Sequence, residues 1–166
     1  DEVTPIASVT KLMAAMVVDL ALDRMDVADR GVVEIFPPDV GGQLAQERLA
    51  RGDASEYFFV IADDEHAQMI AFANYGPIAC TIGSFDLYWI AVQPEWRGRG
   101  IGELIMRRVE EAVRGKGGRQ VYADTSSSTK YAATRAFYLA QGFKQAALLE
   151  DFYRKGDGKV IFAKRV

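Results

Sequence analysis

The periodicity of the apolar residues changes along the chain, and this change limits the fold more than any other feature. Three β-rich runs, EYFFVIAD, AQMIAFANYG and SFDLYWIAV, lie between residues 56 and 92. From Ile101 onwards the apolar residues recur at the spacing of one helix face. A strand-like run at 119–125, a second amphipathic segment at 128–142 and two more β-rich runs follow. This order predicts a mixed sheet with helices packed on it, an α/β fold of the α+β type.

The first part of the chain has a different character. Residues 8–22 predict a helix and residues 23–31 a turn. A short strand and a short helix at 39–52 are separated by two prolines, which break regular structure. The length of 166 residues is typical of about one domain. We expect an N-terminal helical segment over residues 1–30 and a main domain over residues 31–166.

Composition and charge narrow the possible partners. The net charge of −3 argues against a broad nucleic-acid surface, because phosphate neutralisation requires an excess of Lys and Arg. One cysteine and one histidine, His66, do not make a zinc site, so no metal is predicted, and His66 is expected to be an exposed hairpin residue. No apolar run approaches the roughly 20 residues of a membrane span. An acidic start, Asp1 and Glu2, differs from a signal peptide. We predict a cytoplasmic protein with neither nucleic acid nor membrane as partner.

The stretch PEWRGRGIGE, residues 94–103, lies between a predicted strand and a predicted helix. Main-chain N–H groups in such a loop and in the first helical turn have no intrahelical partner and bind anions well. Glycines at 98, 100 and 102 let the main chain approach an anion closely. The alternative is a turn that merely requires positive φ. The spelling matches neither the P-loop nor the Rossmann fingerprint.

The pattern Arg97-x-x-Gly100-x-Gly102 resembles the Q/R-x-x-G-x-G/A signature of the GNAT acyltransferase superfamily. The preceding LYWIAVQPEWRG and the later RAFYLAQGF resemble the family too, and the order of elements agrees from about residue 32 to residue 166. The resemblance implies the GNAT fold, a mixed and mostly antiparallel sheet with helices on both faces. It also implies that the strand at 84–92 splays away from the strand at 119–125.

The resemblance implies acetyl-CoA as donor and an amine of a small molecule or protein as acceptor, with direct attack and no covalent enzyme intermediate. A homodimer is compatible with it. The pyrophosphate of acetyl-CoA is expected on the amides of residues 98–102, its pantetheine arm along the strand, and an amide near Val92 at the oxyanion. The implied cofactor-binding residues are Ile90, Ala91, Val92, Arg97, Gly98, Arg99, Gly100, Ile101 and Gly102.

Three residues are candidates for catalysis. Tyr138 occupies the position from which the family's tyrosine protonates the departing thiolate, and a phenol with a pKa of about 10 keeps its proton at neutral pH. The alternative for Tyr138 is a core tyrosine. Asp86 and Asp124 are candidate bases, expected at strand ends near the cleft, with a structural role as the alternative. Many members carry Asn seven residues before the tyrosine, where this chain has Tyr131.

A second motif lies near the N-terminus. Ser8 and Lys11 fit S-x-x-K, in which the lysine helps to activate the serine, and residues 1–18 resemble the active-site segment of D-alanyl-D-alanine carboxypeptidases. That family also needs Ser-x-Asn and Lys-Thr-Gly, and neither occurs here. We therefore predict an acyltransferase without peptidase activity. The alternatives are a silent acyl-CoA-binding module or a serine peptidase fragment acting through Ser8 and Lys11.

Overall fold

The computed structural model describes residues 23–26, 51, 55–64, 66 and 68–166. Its centre is a seven-stranded sheet with the order β1-β2-β3-β4-β5-β7-β6. The strands are β1 (Asp23–Asp26), β2 (Phe58–Asp63), β3 (Met69–Pro77), β4 (Ser84–Val92), β5 (Gln120–Ser126), β6 (Lys144–Arg154) and β7 (Asp157–Arg165). The helices are α1 (Ile101–Gly115) and α2 (Ala132–Ala140), and short 3-10 turns cover Pro94–Trp96 and Thr129–Tyr131.

The sheet is mixed and mostly antiparallel, as the sequence predicted. Strand β1 runs parallel to β2, and β4 runs parallel to β5. The other four neighbouring pairs are antiparallel. A parallel β4–β5 pair requires a crossover, which α1 supplies. The predicted strand–helix–strand–helix–strand order of the second half of the domain is confirmed.

Helix α1 forms because its apolar residues recur on one face. Its buried side chains include Ile101, Ile105, Val109 and Val113, and the helix packs against β2, β3 and β4. Burying each such side chain contributes roughly 1.5–3 kcal/mol. The opposite face carries exposed charged residues, among them Glu103, Arg107, Arg108 and Glu111. This packing fixes the start of α1 near the C-terminal end of β4.

Both described helices lie on the same face of the sheet. Tyr138 of α2 contacts Phe162 of β7, and Glu110 of α1 pairs with Lys164, two residues further along β7. Residues two apart in a strand point to the same face. The expectation of helices on the other face depends on residues 8–22 and 39–52, which apart from Arg51 lie outside the described residues.

Two predictions about local structure were wrong. Residues 23–26 form strand β1 rather than a turn, because pairing with β2 outweighs the low strand propensity of aspartate. The predicted loop at 151–158 is mostly strand. Arg154 and Asp157 face each other across a two-residue turn, in which Gly156 has a φ of +79°. The Lys155-Gly156 dipeptide is a hairpin signal that the apolar pattern alone did not show.

His66 lies exposed in the turn between β2 and β3, as predicted. Within the part of the chain that the structure describes, no helix is both long and apolar enough to cross a membrane.

Candidate active site

Strands β4 and β5 separate after a short paired segment. Ser84, Phe85 and Asp86 pair with residues 120–122, and no pairing joins the strands beyond Asp86 and Tyr122. The pairing of β4 with β3 shifts by one residue at Tyr88, so that a β-bulge bends β4 at the same point. Residues 87–92 and 123–126 therefore line an opening between two neighbouring strands, which we call the fork. The splaying implied by the sequence resemblance is confirmed.

The main chain of β4 presents polar groups to the fork. The N–H group of Gln93 donates to the carbonyl of Ile70 in β3 at 2.8 Å. Since main-chain groups alternate along an antiparallel strand, those of Ala91 also face β3. Those of Ile90 and Val92 face the fork, where β5 does not pair with them. Of the three residues predicted to hold a cofactor arm, two are thus oriented to do so through their main chain.

The loop after β4 ends in a helix start with unpartnered donors. Gly98 and Gly100 have φ values of +75° and +84°, and Gly100 is the N-cap of α1. The first bond of the helix runs from the N–H of Leu104 to the carbonyl of Gly100, at 3.0 Å. No N–H group of residues 98–103 donates to another described residue. The sequence left two interpretations of this loop, a turn that requires positive φ and an anion-binding site. The two are compatible, because the positive-φ conformation leaves these N–H groups free to bind an anion.

Two arginines flank this loop. Arg97 Nε lies 3.4 Å from the carbonyl oxygen of Val92, at the end of β4. The guanidinium of Arg99 lies 4.7 Å from the ring centroid of Trp96, a cation–π contact. Both residues are exposed, and a Cβ placed at Gly98 would meet no atom within 4 Å. The loop is therefore open to solvent and carries two positive charges.

Tyr138 is almost completely buried in an aromatic cluster. Its ring lies 5.4 Å from Phe143 and 5.4 Å from Phe162. Burial raises the pKa of Tyr138 well above 10, and the negative charge of Asp124 raises it further. The hydroxyl makes no hydrogen bond to another described residue. Tyr138 is both a core residue and a phenol that stays protonated near Asp124.

Tyr131, which stands where many family members carry Asn, lies just before the helix that carries Tyr138. It ends the 3-10 turn Thr129–Tyr131 and is the N-cap of α2. The start of α2 is held by the preceding loop instead. Arg135 Nη1 donates to the carbonyl oxygens of Ser126 and Ser128 at 2.7 and 2.8 Å, and the Ser126 hydroxyl donates to buried Asp157. These bonds fix α2, and with it Tyr138, against β5 and β7.

The two candidate carboxylates lie at the base of the fork, not at strand ends as expected. Asp86 is opposite Tyr122, and Asp124 is two residues further along β5 on the same face. Asp124 Oδ2 is 2.5 Å from Lys159 Nζ. Burial raises the pKa of Asp86 above its usual 3.8, the charge of Asp124 raises it further, and Lys159 opposes the rise. Asp124 is therefore paired with Lys159, whereas Asp86 is a half-buried carboxylate with a raised pKa.

Sequence reasoning missed three residues beside these carboxylates. Burial, followed by the charge of Asp86, raises the pKa of Tyr88 to about 12. Burial and then Asp124 raise the pKa of Tyr153. Lys159 reaches Asp124 from β7. No local motif marks them, because their placement depends on the bulge in β4 and on the pairing of β5 with β7. Ser8 and Lys11 of the second motif lie outside the described residues.

The sequence matches a family model described as an acetyltransferase (GNAT) domain, over residues 54–145. The chain is 36% identical to a solved protein assigned to the GNAT acetyltransferases, from Desulfovibrio desulfuricans. The match covers 99% of this chain and 95% of that chain, with a TM-score of 0.76. No curated protein matches the sequence.

Two more distant structures share the fold. An aminoglycoside 6'-N-acetyltransferase complexed with coenzyme A is 19% identical over 76% of this chain and 80% of its own, with a TM-score of 0.64. The ribosomal-protein-S18-alanine N-acetyltransferase from Escherichia coli is 19% identical over 95% of this chain and 88% of its own, with a TM-score of 0.62.

Proposed function

This chain belongs to the GNAT acetyltransferase family, and we propose that it moves an acetyl group from acetyl-CoA to an amine by direct attack, without a covalent enzyme intermediate. One observation carries the proposal. The open fork between β4 and β5 leads directly to a helix start whose N–H groups have no partner among the described residues. An elongated ligand with an amide-rich arm and an anionic diphosphate fits this combination.

The residues present fit acetyl-CoA. The N–H groups of residues 98–102 suit the diphosphate, with Arg97 and Arg99 at its sides. The main chain of Ile90 and Val92 suits the amides of the pantetheine arm, and Ala91 lies between them with its own groups toward β3. The bound donor would supply an activated acetyl thioester. An N–H group near Val92 would stabilise the negative charge that develops on the carbonyl oxygen.

We assign to Tyr138 the stabilisation and protonation of the departing thiolate. Its hydroxyl has no competing partner among the described residues, and its ring is held by Phe143 and Phe162. Because its pKa is raised, the phenol remains a hydrogen-bond donor at every working pH. Asp157, Ser126 and Arg135 act as positioning residues through the start of α2.

We assign the role of general base to Asp86 and not to Asp124. Asp86 has a raised pKa, which makes it the better proton acceptor near neutral pH. Asp124 is neutralised by Lys159 at 2.5 Å. The charge of Asp124 thus raises the pKa of both Asp86 and Tyr138, and Asp124 does not itself accept the proton of the attacking amine.

The acceptor is an amine of a small molecule or protein. Among the proteins of the same fold, one acts on aminoglycosides and one on an alanine of ribosomal protein S18. We further propose a cytoplasmic protein that is compatible with a homodimer and has neither nucleic acid nor membrane among its partners.

Two experiments test the function. Calorimetry with coenzyme A should show micromolar binding, and an amine panel with acetyl-CoA should release thiol above the rate without acceptor. Binding without acceptor-dependent thiol release would favour the silent acyl-CoA-binding module. Labelling of Ser8 by a fluorescent penicillin, with no binding of coenzyme A, would favour the peptidase fragment through Ser8 and Lys11.

A further inference from the structure

We propose that Lys159 is an internal acceptor, and that the chain transfers an acetyl group from acetyl-CoA to the ε-amine of its own Lys159. The inference rests on the proposed acetyl transfer but assigns a modification site that the acceptor reaction does not require. It starts from the position of one amine beside the β5 wall of the fork.

Lys159 places an amine where an acceptor has to arrive. It lies on β7 opposite Ser126, the last residue of the β5 wall of the fork. Its Nζ is 2.5 Å from Asp124 Oδ2 and 5.3 Å from the ring centroid of Phe152. Its charge also acts on Asp86, and that of Asp124 acts on Tyr138. The amine therefore lies within electrostatic reach of Asp86, the carboxylate assigned as base, and directly beside Asp124, whose charge acts on Tyr138. A flexible four-carbon stem carries the amine.

The other lysines of the described chain have different surroundings. Lys116 lies over the ring of Phe58 at 3.7 Å, and Lys130 lies over Tyr131 at 5.4 Å. Lys164 pairs with Glu110. Lys144 and Lys155 are exposed on the edge strand and its turn. Among the lysines in this part of the chain, only Lys159 contacts a side chain of the fork.

The step balances without a further reagent. The Lys159 ammonium first loses a proton to Asp86, the carboxylate whose pKa burial raises. The neutral Nζ forms a bond to the acetyl carbonyl carbon, the C–S bond breaks, and its electron pair leaves on sulfur. Tyr138 donates its proton to the thiolate, and the second proton of the attacking nitrogen then restores the phenol. The products are an amide on Lys159 and free coenzyme A.

The modification would change the charge of the cleft. An acetylated lysine has no ammonium, so Asp124 would lose its partner and the pKa of Asp86 would rise further. The base of the fork would then favour cationic amines more strongly than before.

The test is mass spectrometry of the purified chain after incubation with acetyl-CoA and no acceptor. We expect one acetyl group per chain at Lys159, formed at a rate that does not depend on protein concentration. The rate should exceed those of Lys144 and Lys155, which report background acetylation, by at least about tenfold. Lys159→Arg should abolish the fast phase, whereas Lys144→Arg should leave it unchanged.

A second variant distinguishes catalysed acetylation of Lys159 from chemical acetylation of an exposed lysine. Tyr138→Phe should slow acetylation of Lys159 by about tenfold or more and leave Lys144 and Lys155 unaffected. A signal independent of turnover comes from methylated lysines in NMR spectra, where coenzyme A should shift the Lys159 resonance and not that of Lys144. Equal rates at all three lysines, or no effect of Tyr138→Phe, would overturn the inference. If coenzyme A binds and an amine panel releases thiol while Lys159 stays unmodified, only this inference fails and the proposed function stands.

Discussion

Asp86 of β4 lies opposite Tyr122 of β5, and this is the last pair that joins the two strands. The fork begins directly beyond it, and the bulge at Tyr88 bends β4 away. One carboxylate is therefore half-buried at the point where the sheet opens, and burial raises its pKa. Under the proposed function, the same opening would bind the donor through main-chain groups and would also receive the acceptor.

Replacing Asp86 with Asn should lower turnover by about 100-fold, because the attacking amine loses its proton acceptor. In the unmodified protein, activity should fall as the pH falls through the raised pKa of Asp86, since the base must be ionised. This acidic limb should be lost in the variant. The measurement is kcat against pH, with coenzyme A affinity by calorimetry as the control. An unchanged limb would exclude Asp86 as the base.

The stability difference between the unmodified protein and Asp86→Asn should depend on pH in a defined direction. The folded pKa of Asp86 lies above the unfolded value of 3.8. At a pH between these two pKa values, the folded state therefore binds more protons than the unfolded state. The stability of the unmodified protein therefore falls as the pH rises through this window. Asp86→Asn should melt at a higher temperature than the unmodified protein at pH 7, and the difference should vanish below the unfolded pKa. Asp124→Asn, which breaks the pair with Lys159, should show no such gain.

Replacing Tyr138 with Phe should lower kcat at least tenfold and leave coenzyme A affinity almost unchanged. The ring packing against Phe143 and Phe162 is kept, so the variant should fold normally. Because burial raises the pKa of Tyr138 well above 10, the alkaline limb of the pH profile should be the same in both proteins. Equal turnover would remove Tyr138 from the chemistry.

Local sequence patterns predicted the parts of the site that depend on neighbours in the chain. A local sequence pattern marks each of three elements: the strand before Arg97, the glycine loop and the helix that carries Tyr138. The partners of the carboxylates could not be predicted this way. The contact of Lys159 with Asp124 depends on the pairing of β5 with β7, and the fork depends on where the pairing of β4 with β5 stops. These are properties of strand pairing, which a window of 10 to 20 residues does not contain.

Replacing Gly100 with Ala should weaken coenzyme A binding by about tenfold. A side chain at a φ of +84° costs roughly 1–2 kcal/mol, and relief of that strain turns the N–H groups at the start of α1 away from their present direction. Gly115→Ala is the matched control, because Gly115 has ordinary φ and open space around its Cβ position. It should gain roughly 0.5–1 kcal/mol of stability without loss of binding. Equal affinities in the two variants would contradict the role of the loop conformation.

Replacing Glu110 with Gln should cost about 3 kcal/mol of unfolding free energy and leave coenzyme A affinity unchanged. Glu110 is buried in α1 and pairs with Lys164 of β7 as well as with Arg114 at 3.4 Å. Loss of its charge leaves the partly buried Lys164 ammonium without its partner, at a distance from the fork. Arg114→Ala is the control, since Arg114 is half exposed and should cost less than about 1 kcal/mol. Urea denaturation measures both variants. If Glu110→Gln unfolds at the same urea concentration as Arg114→Ala, the pair with Lys164 does not stabilise the packing of α1 on the sheet.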